Sequence, residues 1–189
     1  MKKAFLLASI LFISVISTAC INNFAVQELN NKAKDFMDKG DYVSAIERLK
    51  SSVDLDGSVF ETQYNLAVAY TKAEDYANAV KTYNDAIKLN PDFADAYYSL
   101  AVAEENLAKD IISGDVEVND DGTIEKADDD DKEEETKLSD IAKSTLTNVI
   151  NNSISDYKLY LEKSPSAQDR DEVDASNKAL EELLKTHAD

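Results

Sequence analysis

Side-chain chemistry needs a nucleophile, a base, a set of metal ligands or a cradle for phosphate, and this chain offers few of them. Cys20 is its one cysteine and His187 its one histidine. They stand near opposite ends of the sequence. His187 falls in a segment expected to fray, so neither a Ser/His/Asp nor a Cys/His set can be built around it as a buried base. Four scattered glycines exclude a glycine-rich phosphate loop, and no cofactor is implied. Carboxylates are abundant, but among 38 acids closeness of two in sequence carries no meaning. The expectation is a protein that is not an enzyme. One cysteine forms no disulfide within the chain. Its position accounts for it better. Lys2 and Lys3, an apolar run over residues 4–16 and the small residues Ser17, Thr18 and Ala19 lead up to it. That is the pattern of a secretory signal over residues 1–19, too short to span a bilayer well.

A second stretch has oxygen-bearing side chains at alternate positions: Glu117, Asn119 and Asp121, followed by Gly122, the aliphatic Ile124 and the acid Asp128. It resembles an EF-hand calcium loop, in which that spacing turns several oxygens toward one ion. It departs from the family at Glu117, longer than the usual first aspartate, and at Asp128, shorter than the usual closing glutamate. The other reading is a hairpin, with Val116 and Val118 alternating, a turn at Asn119–Gly122 and a return over residues 123–125. Apart from any built site, the acid run at residues 128–131 should attract calcium weakly at millimolar concentrations.

Around Cys20, Ser17-Thr18-Ala19-Cys20 resembles a bacterial lipoprotein signal, with Ser17 where that family prefers leucine or valine. The resemblance implies that the Cys20 thiol receives a diacylglycerol and becomes the mature N-terminus, and that two or three acyl chains, palmitate among them, anchor it in a membrane. It further implies a place in the cell envelope outside the cytoplasm. In an organism with an outer membrane, Asn22 after the cysteine suits cargo sorted to that membrane's periplasmic side. The alternative is an ordinary secreted chain cleaved after Ala19 with a free thiol. Residues 20–25 read as a short tether, keeping the rest of the chain near the bilayer.

The remaining elements are organised around residues 60–91. Tyr64, Leu66, Ala67, Val68 and Tyr70, then Tyr76, Ala79, Val80, Tyr83, Ala86 and Ile87, mark two amphipathic helices joined by a polar turn at residues 72–75 and stopped by Pro91. The pattern recurs 34 residues to either side: Ala33, Phe36, Tyr42, Ala45 and Leu49 before it, Tyr98, Leu100, Ala101 and Val102 after it. Ala67 and Ala79 are small where two helices must approach closely. With Leu66, Ala67, Tyr70, Ala79, Tyr83 and Pro91 in place, this stretch resembles a tetratricopeptide repeat (TPR), whose period is 34. It departs at Gln63. The copy over 26–59 departs at Lys32 and Gly57, and the third at Glu104.

The expected fold is therefore all-α: a short right-handed α-solenoid of antiparallel helix pairs. Repeats span 26–59, 60–93 and 94–163, the last interrupted by a mobile acidic insertion over 110–137. A capping helix over 164–189 is expected to turn Val173, Leu180, Leu183 and Leu184 inward, with Ser166 as its cap. The resemblance implies a concave groove for a peptide or helix, carried here onto Asn30, Lys34, Tyr64, Asn65, Val68, Tyr98 and Val102, with Tyr64 and Tyr98 as an aromatic pair one repeat apart. Some members clamp a partner's C-terminal carboxylate. Asn65 fits that clamp, but Asp95 and Ser99 stand where its basic residues belong. With a net charge of −18, the chain should repel nucleic acid and prefer an apolar protein segment with basic flanks. The function expected is that of a protein-interaction adaptor of the envelope. The alternatives are an assembly subunit whose groove is filled by its own C-terminal helix, and a calcium-responsive protein acting through the insertion.

Overall fold

The structure is a computed structural model that describes residues 23–127 and 138–187. Among the described residues seven helices succeed one another. They are α1 (residues 23–37), α2 (Tyr42–Leu55), α3 (Phe60–Lys72), α4 (Tyr76–Leu89), α5 (Ala94–Ser113), α6 (Asp140–Lys163) and α7 (Arg170–His187). A two-stranded hairpin, β1 (Val116–Val118) and β2 (Ile124–Lys126), lies between α5 and α6. From α2 onward each helix packs on the next, α2 on α3 through to α6 on α7, and Ala33 joins α1 to Ala45, Leu49 and Leu66. This is the all-α solenoid of TPR-like helix pairs expected from the sequence.

Small residues set the spacing. Ala45, Ala67, Ala69, Ala79, Ala86, Ala101 and Ala103 are wholly buried at the crossings, where any larger side chain would push the backbones apart. Tyr83 supplies the bulk beside Ala67 and Ala79.

The turns repeat as the core does. Asp41 N–H donates to Phe36 O at 2.9 Å, and 34 residues on Asp75 N–H donates to Tyr70 O at 3.0 Å. The same aspartates cap the next helices, accepting from Ser44 N–H at 3.1 Å and Asn78 N–H at 3.2 Å. Each turn needs one left-handed residue. The first copy uses Gly40 (φ 74°) and the second Glu74 (φ 59°).

The structure departs from expectation at both edges of the repeats. Residues 23–25, assigned to the tether, already belong to α1. Residues 110–113, assigned to the mobile insertion, extend α5, because Leu107, Ala108 and Ile111 continue its buried face until Gly114 (φ 76°) ends it. The rest of the described insertion is ordered rather than mobile. Val116, Val118 and Ile124 pack on the core cluster of α5 and α6, and Ala127 N–H donates to Asp115 O at 3.1 Å. Its remainder, residues 128–137 with the acid run, lies outside the described residues, as do residues 1–22.

α6 runs unbroken through Asn151-Asn152-Ser153. Ser153 is buried and donates to Ala101 O at 2.8 Å, tying α6 to α5. α7 buries Val173 and Leu180, with Leu183 and Leu184 packed at the edge of the same cluster. It begins at Arg170, so Ser166 lies in the turn ahead of it and does not cap it.

Candidate functional site

The residues expected to line a groove fall into three groups. Asn30, Lys34 and Asn65 line one cleft of about 390 Å3 between α1 and α3, with Met37 and Leu49 as its apolar part. Tyr98 and Val102 line a second cleft of about 240 Å3, whose opposite wall is α7 through Glu172, Val173 and Ser176. Tyr64 and Val68 lie between them, packed against Ala67, Tyr83 and Leu100.

In the first cleft the side chains differ in how they are committed. Asn30 is spent on the fold. Its Nδ2 is within 2.9 Å of Val26 O, Ser52 Oγ and Thr62 Oγ1, so it joins α1, α2 and α3 around two buried hydroxyls. Its Oδ1 is buried without a partner among the described residues. Lys34 is exposed and pairs with Asp38 at 2.8 Å. Such an exposed pair contributes little to stability, so the ammonium is available to a ligand.

Tyr64 and Tyr98, the aromatic pair one repeat apart, meet different sets of rings. Tyr64 sits 5.8 Å from Phe60, 5.3 Å from Phe93 and 5.7 Å from Tyr83 between ring centroids. Its hydroxyl and that of Ser99 are 3.1 Å apart. It therefore cements the second repeat to the third. Tyr98 instead meets two tyrosines of α6, Tyr157 at 5.9 Å and Tyr160 at 5.1 Å. Around it are carboxylates. Glu105 accepts from Tyr157 Oη at 2.9 Å and from Lys109 at 2.8 Å, and Asp169 accepts from Tyr160 Oη at 2.9 Å. Burial, then the charges of Glu172, Asp169 and Glu105, push the Tyr98 hydroxyl above its ordinary pKa.

α7 packs on α6 as the next member of the stack. Against α5 it leaves the second cleft open and forms one of its walls. The C-terminal helix thus covers one side of Tyr98 and Val102.

The stretch that resembled a calcium loop is a hairpin. β1 and β2 pair antiparallel with Val116 opposite Lys126 and Val118 opposite Ile124, and the turn closes by Gly122 N–H to Asn119 O at 2.8 Å. The register sets Glu117 opposite Glu125, both exposed. Asp121 Oδ1 accepts from Thr123 N–H and Oγ1 at 2.9 and 2.7 Å, and Asn119 Nδ2 donates to Thr123 Oγ1 at 2.9 Å. Oxygens that a calcium ion would gather are thus committed to the turn or face outward. Asp128, the closing acid of the proposed loop, lies outside the described residues. Among the described residues no three Asp, Glu, His or Cys side chains converge as a metal-ligand set.

Sequence reasoning missed a cleft of about 790 Å3 walled by the α3–α4 turn, the end of α5 and the hairpin. Glu74, Asp75, Asp110, Asp115 and Glu125 line it beside Lys126 and Tyr76. It exists because the hairpin docks, and no local pattern announces that. Also missed was the role of Glu104, which the sequence shows only as a departure from the repeat.

Comparison with known proteins agrees with this architecture. Residues 69–107 match a family model described as TPR repeat. Among solved structures, the second TPR domain of human RPAP3 in complex with the HSP70 peptide SGPTIEEVD is 17% identical. It covers 85% of this chain and 98% of its own at a TM-score of 0.58. The first TPR of Spaghetti (RPAP3), bound to the HSP90 peptide SRMEEVD, is 19% identical, covering 85% and 93% at 0.57. The Arabidopsis OM64 TPR domain is 13% identical, covering 84% and 96% at 0.57. Among curated protein sequences none matches the chain. At these identities the likeness speaks for the fold.

Proposed function

We propose that this TPR-fold domain is a lipid-anchored protein-interaction adaptor of a bacterial cell envelope, holding an extended or helical segment of a partner along the face that carries its two clefts. The observation that carries this reading is the pair of clefts itself. Five of the seven residues assigned to the groove from the repeat pattern line one or the other. Domains of the same fold hold peptides in the RPAP3 structures, which supports capture as the mode of action.

The ligand differs in chemistry from those peptides, which end in EEVD. Asp95 and Ser99 occupy the positions where a carboxylate clamp needs cations, and Ser99 is already engaged by Tyr64. With 38 acids against 20 basic residues, the chain repels an acidic tail. An apolar segment with basic flanks fits better. The anchor rests on Ser17-Thr18-Ala19-Cys20. Because α1 has begun by residue 23, at most a few residues separate the acylated cysteine from the first helix, and the partner must lie close to the bilayer.

The test is photocrosslinking in the native host with a photoreactive residue in place of Lys34 and, separately, of Val102, coupled to mass spectrometry and membrane fractionation. One recurrent partner seen from both positions, together with release from the membrane on Cys20→Ala, is the expected result. Crosslinks confined to the chain itself would sink the capture reading. Retention of Cys20→Ala on the membrane would sink the anchor.

A further inference from the structure

The two clefts differ in polarity. The one between α1 and α3 presents asparagines and the Lys34–Asp38 pair, whose charges cancel. The one between α5 and α7 presents a tyrosine ring among carboxylates: Tyr98 stands beside Tyr157, with Glu105 on α5 and Glu172 in the first turn of α7. At about 240 Å3 it admits one long side chain and not a helix, whose width with side chains is about 10 Å. An aromatic face with nearby anions in a half-closed cleft is the environment in which a guanidinium or ammonium group is held, by the ring quadrupole and by charge-assisted hydrogen bonds.

We infer that the α5–α7 cleft is the seat of a single cationic side chain, arginine or lysine, of the captured segment, gripped between the face of Tyr98 and the carboxylates of Glu105 and Glu172. The inference rests on the capture reading and names the chemistry of one of its contacts. Three observations support it. Glu172 lines the cleft, is exposed and forms no ion pair among the described residues, so its carboxylate is available to a ligand. Glu105 already accepts from Tyr157 and Lys109, and this fixes its rotamer while each carboxylate oxygen keeps a second acceptor site. The negative field is felt at the Tyr98 hydroxyl, which Glu172, Asp169 and Glu105 all push up after burial has done so. Lys109 at the rim is tied to Glu105 and leaves the cleft net negative. Because α7 supplies Glu172, the capping helix takes part in recognition as well as closing the stack.

The test is selection of random phage-displayed peptides on the full chain in detergent micelles at physiological salt, repeated on Glu172→Gln, Tyr98→Leu and Asp174→Asn. Asp174 is exposed on the same helix, so Asp174→Asn controls for overall charge. The expected result is a set of peptides sharing one arginine or lysine at a fixed distance from their apolar residues. Replacing it by citrulline or norleucine should weaken binding about tenfold on the parent and on Asp174→Asn, and by only about threefold on Glu172→Gln, where Tyr98 and Glu105 remain. Tyr98→Leu should give a similar loss with all peptides of the set. Peptides that lose binding on Lys34→Ala or Asn65→Leu but carry no fixed cation, or whose cation keeps its worth on Glu172→Gln, would overturn the cation seat and leave peptide capture standing. A selection whose peptides respond to substitutions in neither cleft would overturn both.

Discussion

Glu104 occupies the register position filled by Phe36 and Tyr70 in the two preceding repeats. It is 2% exposed, its Oε2 has no partner among the described residues, and it faces Asp156 of α6. Burial, then the charge and hydrogen bond of Asp156, push the Glu104 carboxyl up to about 9, while burial also raises Asp156. The folded state thus retains a proton that the unfolded chain gives up near the ordinary carboxylate value. This pair's contribution to stability is therefore whole below about pH 4.5 and is lost as pH rises toward 9. Glu104→Gln should raise stability at pH 8 by on the order of 2 kcal/mol and flatten its fall between pH 5 and 9, as read by urea unfolding across pH. An unchanged profile would mean that the pair does not share its proton. The left-handed turn residues give a sharper pair of substitutions. Gly40→Ala should cost about 1 kcal/mol, and Glu74→Gly, at the equivalent position, should gain a few tenths, the relief of strain being partly offset by a freer unfolded chain. Urea midpoints of the two variants would show opposite shifts.

Helices were the most legible elements, and their connections the least. The apolar spacing and the alanine positions located α3 and α4, because both signals are local and repeat at 34. The length of α5 was misjudged since the acids after Lys109 read as a break. The buried face continued through Ile111, and burial of that side chain outweighed the neighbouring charge. The hairpin was one of two readings of residues 117–128, and the choice turned on tertiary contacts of Val116, Val118 and Ile124 that no short window contains. For the site, the groove residues were named from register alone. Register tells which face a residue shares, but not which rings it meets. Tyr64 turned to Phe60 and Phe93, and Tyr98 to α6, because the long second helix of the third pair brings Tyr157 and Tyr160 alongside. The docked hairpin carries its own prediction. Ile124→Ser should lower stability by about 1 kcal/mol and raise amide exchange across Val116–Lys126 while α3 and α4 keep their protection. Protection lost evenly along the chain would show that the hairpin is integral to the helical core.

At the scale of the molecule, most helix contacts among the described residues run from each helix to its chain neighbour, with fewer between α3 and α5, so stability is close to a sum of adjacent interfaces. Of the net −18, ten units fall in residues 110–137, and a field of this sign favours the approach of basic partners and weakens with salt. Phe60, Tyr83, Phe93 and Ser99 gather around Tyr64 and bind the second pair to the third. The two clefts lie on either side of this packed cluster. Two weak grips at a fixed distance act like the two hands of a bidentate ligand: once the first is occupied, the second meets its partner at a local concentration set by the linker between them rather than by solution. A segment with its two contacts at the matching separation would be bound far more tightly than either contact allows, and inserting or deleting a few residues between them would forfeit that gain while leaving every individual contact intact.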